Sequence, residues 1–436
     1  MDLSRDSYAL ILLCSNLALP VILSSEQTPL TRKEWSRLLA RIEASSLQNP
    51  GRLIGLSSTA LRKALSLTPE EGDRLARLLS RAGSMALELE RLEHLGIWVS
   101  TPNEEDYPRR LMEVLGERAP PVLYGAGDPS IATIEGLTIV GSRDVDEEGA
   151  GFAQELANKA ASEGFCLISG GAKGVDILSL RAALDVEGKA ISFFPCGLAP
   201  LIRKRDVREP ILRENLLILS CVHPDAPFSV GNAMGRNRFI YALARFAAVV
   251  ASAAGEGGTW AGAIENLAHR WVPLFVREEA SAPEGNRKLL LRGAIPLPRE
   301  VLTSPEIDLR WFFEEGTRLH WPILGEDIPR VSVDRRRDRG VREGTLTSRD
   351  LLPFGVEGSA DAPEIQIPHQ DLPLSPCFPT AALEQSEDAK GGREGDKEQN
   401  PSPKKAPKRK KPSGKPSASP LPHAQATLFE EPPPKP

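Results

Sequence analysis

Apolar residues recur at helical spacing in the first quarter of the chain. A helix predicted to begin after Thr31 carries its apolar side chains at Trp35, Leu38, Leu39 and Ile42. A second periodic segment runs from Pro69 to about residue 94. Repeats of three and four residues place such side chains on one helix face, and Thr is a favoured residue just before a helix. Residues 1–110 are therefore predicted to form a small helical domain, in which nothing suggests chemistry.

The pattern changes between about residues 120 and 300, where short apolar runs alternate with amphipathic segments. The runs predicted as strands are Leu137–Val140, Phe165–Ser169, Ala190–Pro195, Leu216–Ser220, Ala247–Ala251 and Val272–Val276. Helices are predicted between them, including one over residues 238–246. This alternation is typical of a parallel, doubly wound sheet. The predicted fold class is thus α/β, with a Rossmann-like domain over residues 111–300 and a short extension over 301–330.

Residues 331–436 are dominated by Pro, Ser, Glu and Lys, and they lack a periodic apolar pattern. Such a segment buries too little apolar surface to offset the entropy of ordering, so a disordered tail is predicted. Its stretch 403–416 holds seven basic residues and no acid. This stretch either attracts DNA phosphates or serves as a solubilising spacer.

The composition changes this picture in two ways. The chain has 54 Lys and Arg against 59 Asp and Glu, a net charge of −5, so any affinity for a polyanion must come from local clusters of cations. The five cysteines are odd in number and have no CxxC spacing, which argues against a disulfide framework or a zinc site and favours the cytoplasm. The apolar run Tyr8–Leu23 is interrupted by polar residues and Pro20 and is too short to span a bilayer, so no membrane association is expected.

Four segments fall where ligands bind in such a sheet, at the carboxyl ends of the strands. Glycine amides and helix N-termini at this edge favour phosphate, and Arg or Lys side chains neutralise it. Asp176 is predicted to cap a helix that begins at Ile177 rather than to act as a catalytic carboxylate. The candidate binding residues are Gly141, Ser142, Arg143, Ser169, Gly170, Gly171, Lys173, Gly174, Arg236, Asn237, Arg238, Gly257, Gly258 and Thr259.

The order and spacing of these motifs resemble the DNA-processing A (DprA/Smf) family. The matching segments are Tyr107-Pro108, Pro121–Tyr124, Ile139–Arg143, Ser169–Asp176, Arg236–Arg238, Gly285-Asn286 and Gly293-Ala294. The helical region is similar to that family's sterile-alpha-like (SAM-like) module. The resemblance implies a homodimer that binds single-stranded DNA, protects it when it enters the cell, and loads the RecA recombinase onto it during natural transformation.

The same resemblance implies roles for individual residues. Arg143 and Lys173 would contact phosphates, Arg236 and Arg238 would line the groove, and Asn237 would hold the turn or touch a base. The family's Phe-Pro before Arg-Asn-Arg is replaced by Met234-Gly235. Further departures are the absence of a visible winged-helix module, Leu180 in place of a His, and Cys221 in place of an acidic residue. Phe228 or Trp260 is left to supply base stacking.

Two other functions stay open at this point. The same edge suits a nucleotide or nucleic-acid sensor in phage defence. A hydrolase related to nucleotide phosphoribohydrolases is suggested by Gly257-Gly258-Thr259, although Glu265 lies too far along the predicted helix. No catalytic residue, metal or cofactor is expected. In the tail, Gln425, Leu428 and Phe429 resemble the peptide by which bacterial proteins bind the replication sliding clamp.

Overall fold

A computed structural model describes residues 3–19 and 28–321 of the chain. The basic stretch and the clamp-like peptide of the tail lie outside these residues. The first part is helical, and its helices are α1 Arg5–Cys14, α2 Arg32–Glu43, α3 Ser58–Leu65, α4 Pro69–Leu79 and α5 Ala82–His94. The predicted cap is confirmed: Thr31 accepts from the Glu34 amide, and the Glu34 carboxylate accepts from the Thr31 amide.

Within the described residues, nine strands form one sheet. Its strands are β1 Trp98–Ser100, β2 Leu123–Ala126, β3 Gly136–Val140, β4 Cys166–Ser169, β5 Ala190–Phe193, β6 Leu216–Ser220, β7 Phe246–Val249, β8 Leu274–Arg277 and β9 Ile295–Leu297. Their spatial order is β1-β2-β6-β5-β4-β3-β7-β8-β9. The seven strands from β3 to β9 run parallel, whereas β1 and β2 pair antiparallel at one edge.

Helices cover both faces of this sheet. They are α6 Arg109–Leu115, α7 Glu147–Ser162, α8 Val175–Asp185, α9 Arg205–Leu212, α10 Val230–Leu243, α11 Gly257–His269, α12 Glu284–Leu290, α13 Glu300–Thr303 and α14 Leu309–His320. Strand residues alternate between two apolar clusters: Ile139 packs with α7 and α8, and its neighbour Val140 packs with α10 and α11. Burial on both faces is why the parallel strands are continuously apolar.

The structure corrects several predicted elements. Residues 1–110 are not wholly helical, because they include strand β1, which pairs antiparallel with β2 at the edge of the sheet. The segment predicted as one helix from Pro69 is two helices, separated near Arg81, whose guanidinium donates to the carbonyls of Leu12 and Leu17. Helix α10 begins at Val230, eight residues before the predicted start. The sequence did not reveal this start because the first half of the helix contains glycines and has no amphipathic pattern.

The extension after residue 300 contributes to the core. Phe313 of α14 is fully buried and packs against Phe165, Phe246 and Phe275, with ring centroids 4.6–6.2 Å apart. Within the described residues, no helix is both long and apolar enough to cross a membrane.

Candidate nucleic-acid interface at the carboxyl edge

The strand order reverses between β3 and β7, and the turns that follow these two strands meet there. After β3 the chain continues on one side to β4, β5 and β6, and after β7 it continues on the other to β8 and β9. The Ser142 amide donates to the Ala251 carbonyl at 2.8 Å across this junction. Ligands of doubly wound sheets bind at such a crevice. The turns after β3, β4 and β7 therefore share one edge, as the sequence predicts.

The turns after β3 and β4 are locked together by glycines. A Cβ at Gly141 would overlap the Val175 side chain, and a Cβ at Gly174 would overlap the Ser142 and Arg143 carbonyls. Gly174 also has φ +83°, a conformation that other residues rarely adopt. The Val175 amide completes the contact by donating to the Ser142 carbonyl at 3.2 Å. These glycines therefore pack one turn on the other.

The carboxylate of Asp176 anchors both turns from beneath. It accepts from the Gly170 amide at 3.1 Å, and the amides of Gly141 and Ala172 also bond it. The side chain is 7% exposed. Burial raises the pKa of Asp176, whereas Arg236 and these three amides act in the opposite direction. The Asp176 carboxylate thus occupies the backbone amides that were expected to bind a phosphate.

Two predictions about these residues are wrong. Helix α8 begins at Val175 after Gly174, so Asp176 lies inside its first turn and does not cap a helix from Ile177. The amides of Ser142 and Gly170, expected to face phosphate, are bonded to Ala251 and Asp176 instead. Glycine spacing alone does not show that a carboxylate of the same chain, six residues after Gly170, accepts from these amides.

Arg236 is also placed differently from the prediction. Its side chain is 7% exposed, and its guanidinium lies against Gly170 beneath the loop that carries Lys173. The prediction of a groove-lining Arg236 is wrong, because only a glycine at 170 leaves room for the guanidinium to lie under the loop. Its positive charge faces Asp176 instead of solvent.

Arg143 and Lys173 are exposed at the surface. They line one open cavity of about 540 Å³ between the first turns of α7 and α8. Its remaining lining residues are Asp144, Val145, Asp146, Gly174, Ile177 and Leu178. The Lys173 Nζ atom is 3.9 Å from Asp144 Oδ1, and both side chains are largely exposed. Asp144 and Asp146 are not among the predicted site residues, although they lie one and three positions after Arg143.

The turn after β7 is held by Asn237. Its side-chain amide donates to the Gly258 carbonyl at 3.1 Å, which fits the predicted role of holding the turn. Gly257, Gly258 and Thr259 form the exposed first turn of α11, where no side chain caps the amides. Glu265 lies on the same helix six residues, less than two turns, after Thr259.

Arg238 is not among the residues that line the cavity. Its Nε atom donates to the Gly235 carbonyl at 2.8 Å, and its guanidinium lies 5.3 Å from the centroid of the Phe239 ring. Of the aromatic residues considered for stacking, Trp260 is covered by the Arg292 guanidinium at 5.2 Å. Phe228 is partly buried against the core.

One group of metal-ligand residue types lies elsewhere, where α5 meets the loop after β6. Atoms of Glu88, His223 and Asp225 lie within 4.8 Å of one another. The guanidinium of Arg91 pairs with Glu88 at 2.7 Å and with Asp225 at 2.8 Å. Both carboxylates are therefore engaged in an ion-pair bridge between the helical segment and the sheet.

Fold and site together define a doubly wound α/β protein with surface cations at the carboxyl edge of its sheet. Residues 98–301 match the family model described as DNA recombination-mediator protein A. This matched part of the chain belongs to the DprA/Smf family.

Individual relatives support the assignment. Protein Smf of Synechocystis is 32% identical over 151 residues, which cover 33% of this chain and 37% of that protein. The putative DNA processing protein DprA of Mycobacterium tuberculosis is 28% identical over 324 residues, covering 68% of this chain and 76% of that protein. The X-ray structure of DNA processing protein A from Streptococcus pneumoniae aligns with a TM-score of 0.52 and 18% identity, over 71% of this chain and 99% of that one. This last similarity shows a shared fold.

Proposed function

We propose that this chain binds single-stranded DNA at the carboxyl edge of its sheet and acts as a DNA-processing protein in recombination. The observation that carries the proposal is the pairing of Arg143 and Lys173 on one open cavity. Two exposed cations on adjoining turns suit consecutive phosphates of a flexible strand. Membership of the DNA recombination-mediator family supports the same assignment.

The buried layer beneath these cations supports this binding role. Asp176 and Arg236 are both nearly inaccessible, and the Asp176 carboxylate is occupied by backbone amides. A carboxylate in that position holds the turns and is not available as a general base. The proposal therefore includes no catalytic step, and the protein acts by holding DNA.

The cavity lining also predicts weak, salt-sensitive contacts at this one site. Asp144 and Asp146 lie beside the two cations, so the lining has no large positive excess. Phosphate contacts with Lys and Arg carry little base information. We therefore expect binding that is indifferent to sequence, with affinity growing as a longer strand reaches further cations.

The finer part of the proposal concerns the partner. A strand held at the sheet edge would be protected and delivered to the RecA recombinase, with the protein acting as a dimer. Family membership supports this step. RecA filament assembly on single strands pre-coated with single-strand-binding protein should be faster when the chain is added, and an unchanged rate would refute RecA loading while leaving DNA binding intact.

DNA binding itself is tested by competition between oligo-dT and duplex DNA at two salt concentrations. We expect a preference for the single strand, weakened in Arg143→Ala and in Lys173→Ala. Asp144→Asn is the matched control, because it removes a carboxylate from the same cavity and should raise affinity. Full affinity in either cation variant would remove that residue from the site.

A compact nucleotide that competes fully with oligo-dT would favour the sensing function, since about 540 Å³ is also the size of a small-ligand cavity.

A further inference from the structure

Arg277 is a fully buried cation at the carboxyl end of β8, the strand next to β7. Its Nε atom donates to the Glu279 carboxylate, and its Nη2 atom donates to Ser281 Oγ at 2.9 Å. Within the part of the chain that the structure describes, the Nη1 atom has no hydrogen-bond partner. A buried charged donor without a partner is costly and rare, so this nitrogen needs an explanation.

The guanidinium of Arg277 faces the first turn of α7. A Cβ at Gly149 would lie 2.9 Å from Nη1, so the glycine leaves the room in which the guanidinium lies. Two carboxylates of this turn are near it but beyond hydrogen-bond distance. Nη1 is 3.9 Å from Asp146 Oδ1, and Nη2 is 3.8 Å from Glu148 Oε2. The nitrogen without a partner is therefore the one that faces Asp146.

Asp146 lies between this buried cation and the proposed DNA site. Its Oδ1 atom accepts from the Gly149 amide at 2.7 Å and so caps α7, while its side chain is 55% exposed. The same residue lines the cavity with Arg143 and Lys173. A phosphate held by these two cations would be close to the Asp146 carboxylate, and the two negative charges would repel each other.

The surroundings of Arg277 indicate which of the two partners can move. Arg299 shares the Glu279 carboxylate with it, bonding Oε1 at 2.6 Å. Arg299 also bonds both oxygens of Glu155, at 2.7 and 2.9 Å, and the carbonyl of Glu148 at 3.0 Å. This network fixes the guanidinium of Arg277 from β8 and α7 together. The exposed Asp146 side chain is thus the free partner, and a shift of about 1 Å would bring it within hydrogen-bond distance of Nη1.

We propose that Arg277 is a positioning residue for strand binding, acting through Asp146. When a phosphate is held by the two exposed cations, the Asp146 carboxylate moves towards Nη1 and makes the missing hydrogen bond. Its charge is then paired with a buried cation and no longer opposes the strand. Arg277 therefore strengthens DNA binding although it is too deeply buried to touch DNA. This inference rests on the proposed function and adds a residue to its site.

The first test compares two aspartates of the cavity while Arg277 is intact. The probe is oligo-dT of about 6 nucleotides, within the span of one single-strand-binding module. D144N removes a carboxylate whose printed partner is the exposed Lys173, and it should raise affinity. D146N should leave affinity nearly unchanged, because Arg277 already offsets that charge, and Asn still caps the helix. An increase with D146N as large as that with D144N would overturn the inference.

The second test removes the buried cation. R277M keeps a long side chain and should bind the same oligonucleotide about tenfold more weakly, a usual size for coupling between sites. R277M/D146N should recover the affinity of the parent, since the unpaired carboxylate is then gone. R213M, at an exposed arginine just before β6 on the other edge of the sheet, is the matched control and should bind like the parent.

The recovery separates positioning from a purely structural role. A loss in R277M that persists in R277M/D146N would show that Arg277 supports only the fold, and it would overturn the inference. Full affinity in R277M would overturn it as well, and both results leave the proposed function intact. Failure of the parent to bind oligo-dT refutes the proposed function itself. The comparison of D144N with D146N decides the matter if R277M does not fold.

Discussion

The guanidinium of Arg236 lies so close to Gly170 that a Cβ atom at that position would overlap it. This contact places a buried cation directly beneath the turn that carries Lys173, next to the carboxylate of Asp176. The exposed side chains of Arg143 and Lys173 thus lie above two buried groups of opposite charge, Arg236 and Asp176.

Replacement of Gly170 by Ala should destabilise the protein. The new methyl group meets the Arg236 guanidinium, and overpacking in a tight interior costs about 1–3 kcal/mol. Urea unfolding measures the change. Gly151, in the middle of α7 with no neighbour within 4 Å of its would-be Cβ, is the matched control. G151A should stabilise the protein by about 0.5–1 kcal/mol through helix propensity, and a G170A variant that behaved alike would show that the guanidinium is not packed there.

Replacement of Asp176 by Asn should loosen both turns. The buried carboxylate accepts from three amides, and an Asn side chain directs an N–H group at one of them. We expect a loss of at least about 2 kcal/mol in the free energy of unfolding, because a hydrogen bond to a charged group contributes about 1.5–3 kcal/mol. Affinity for single-stranded DNA should fall as well, although Arg143 and Lys173 are intact.

Asp144 provides the control for that substitution. Its side chain is 95% exposed, so D144N should change stability by less than about 0.5 kcal/mol. If D176N and D144N unfolded at the same urea concentration, Asp176 would not be the anchor of the turns.

Stability at acid pH should depend on Glu34. The Arg74 hydrogen bond is the main cause that lowers the pKa of Glu34 to about 2 from its ordinary 4.5. A lowered pKa in the folded state stabilises the protein above the unfolded-state pKa, and this contribution is lost as pH falls towards 2. E34Q should therefore be less stable than the parent at pH 7 and equal to it near pH 2. E90Q, at an exposed position of α5, should follow the parent at both pH values, and a constant deficit for E34Q would contradict the assignment.

Much of the fold can be predicted from the sequence, because parallel strands buried on both faces consist of continuous apolar residues. The predicted runs at residues 137–140, 165–169 and 216–220 match β3, β4 and β6 closely. Strand β1 lies at a sheet edge and has only three residues, which are too few to show the alternation of apolar and polar residues that predicts a strand. Helix α10 is buried at its second half and Gly-containing at its first, so neither half has an amphipathic pattern.

The site was predictable in location but not in detail. Strand ends identify the edge, because topology alone brings the turns after β3, β4 and β7 together. Which cations face solvent depends on packing between distant segments. Arg236 is buried by a glycine 66 positions earlier in the chain, and the sequence near Arg236 carries no trace of that contact.

The most direct test of the account is the salt dependence of single-stranded DNA binding in the parent and in R143Q/K173Q, followed by fluorescence anisotropy. We expect the double variant to bind a short oligonucleotide far more weakly, and its plot of log affinity against log salt to be shallower by about 1.4, the value for two lost phosphate contacts. An unchanged affinity and slope, with the variant fully folded, would contradict the claim that these two cations hold the strand.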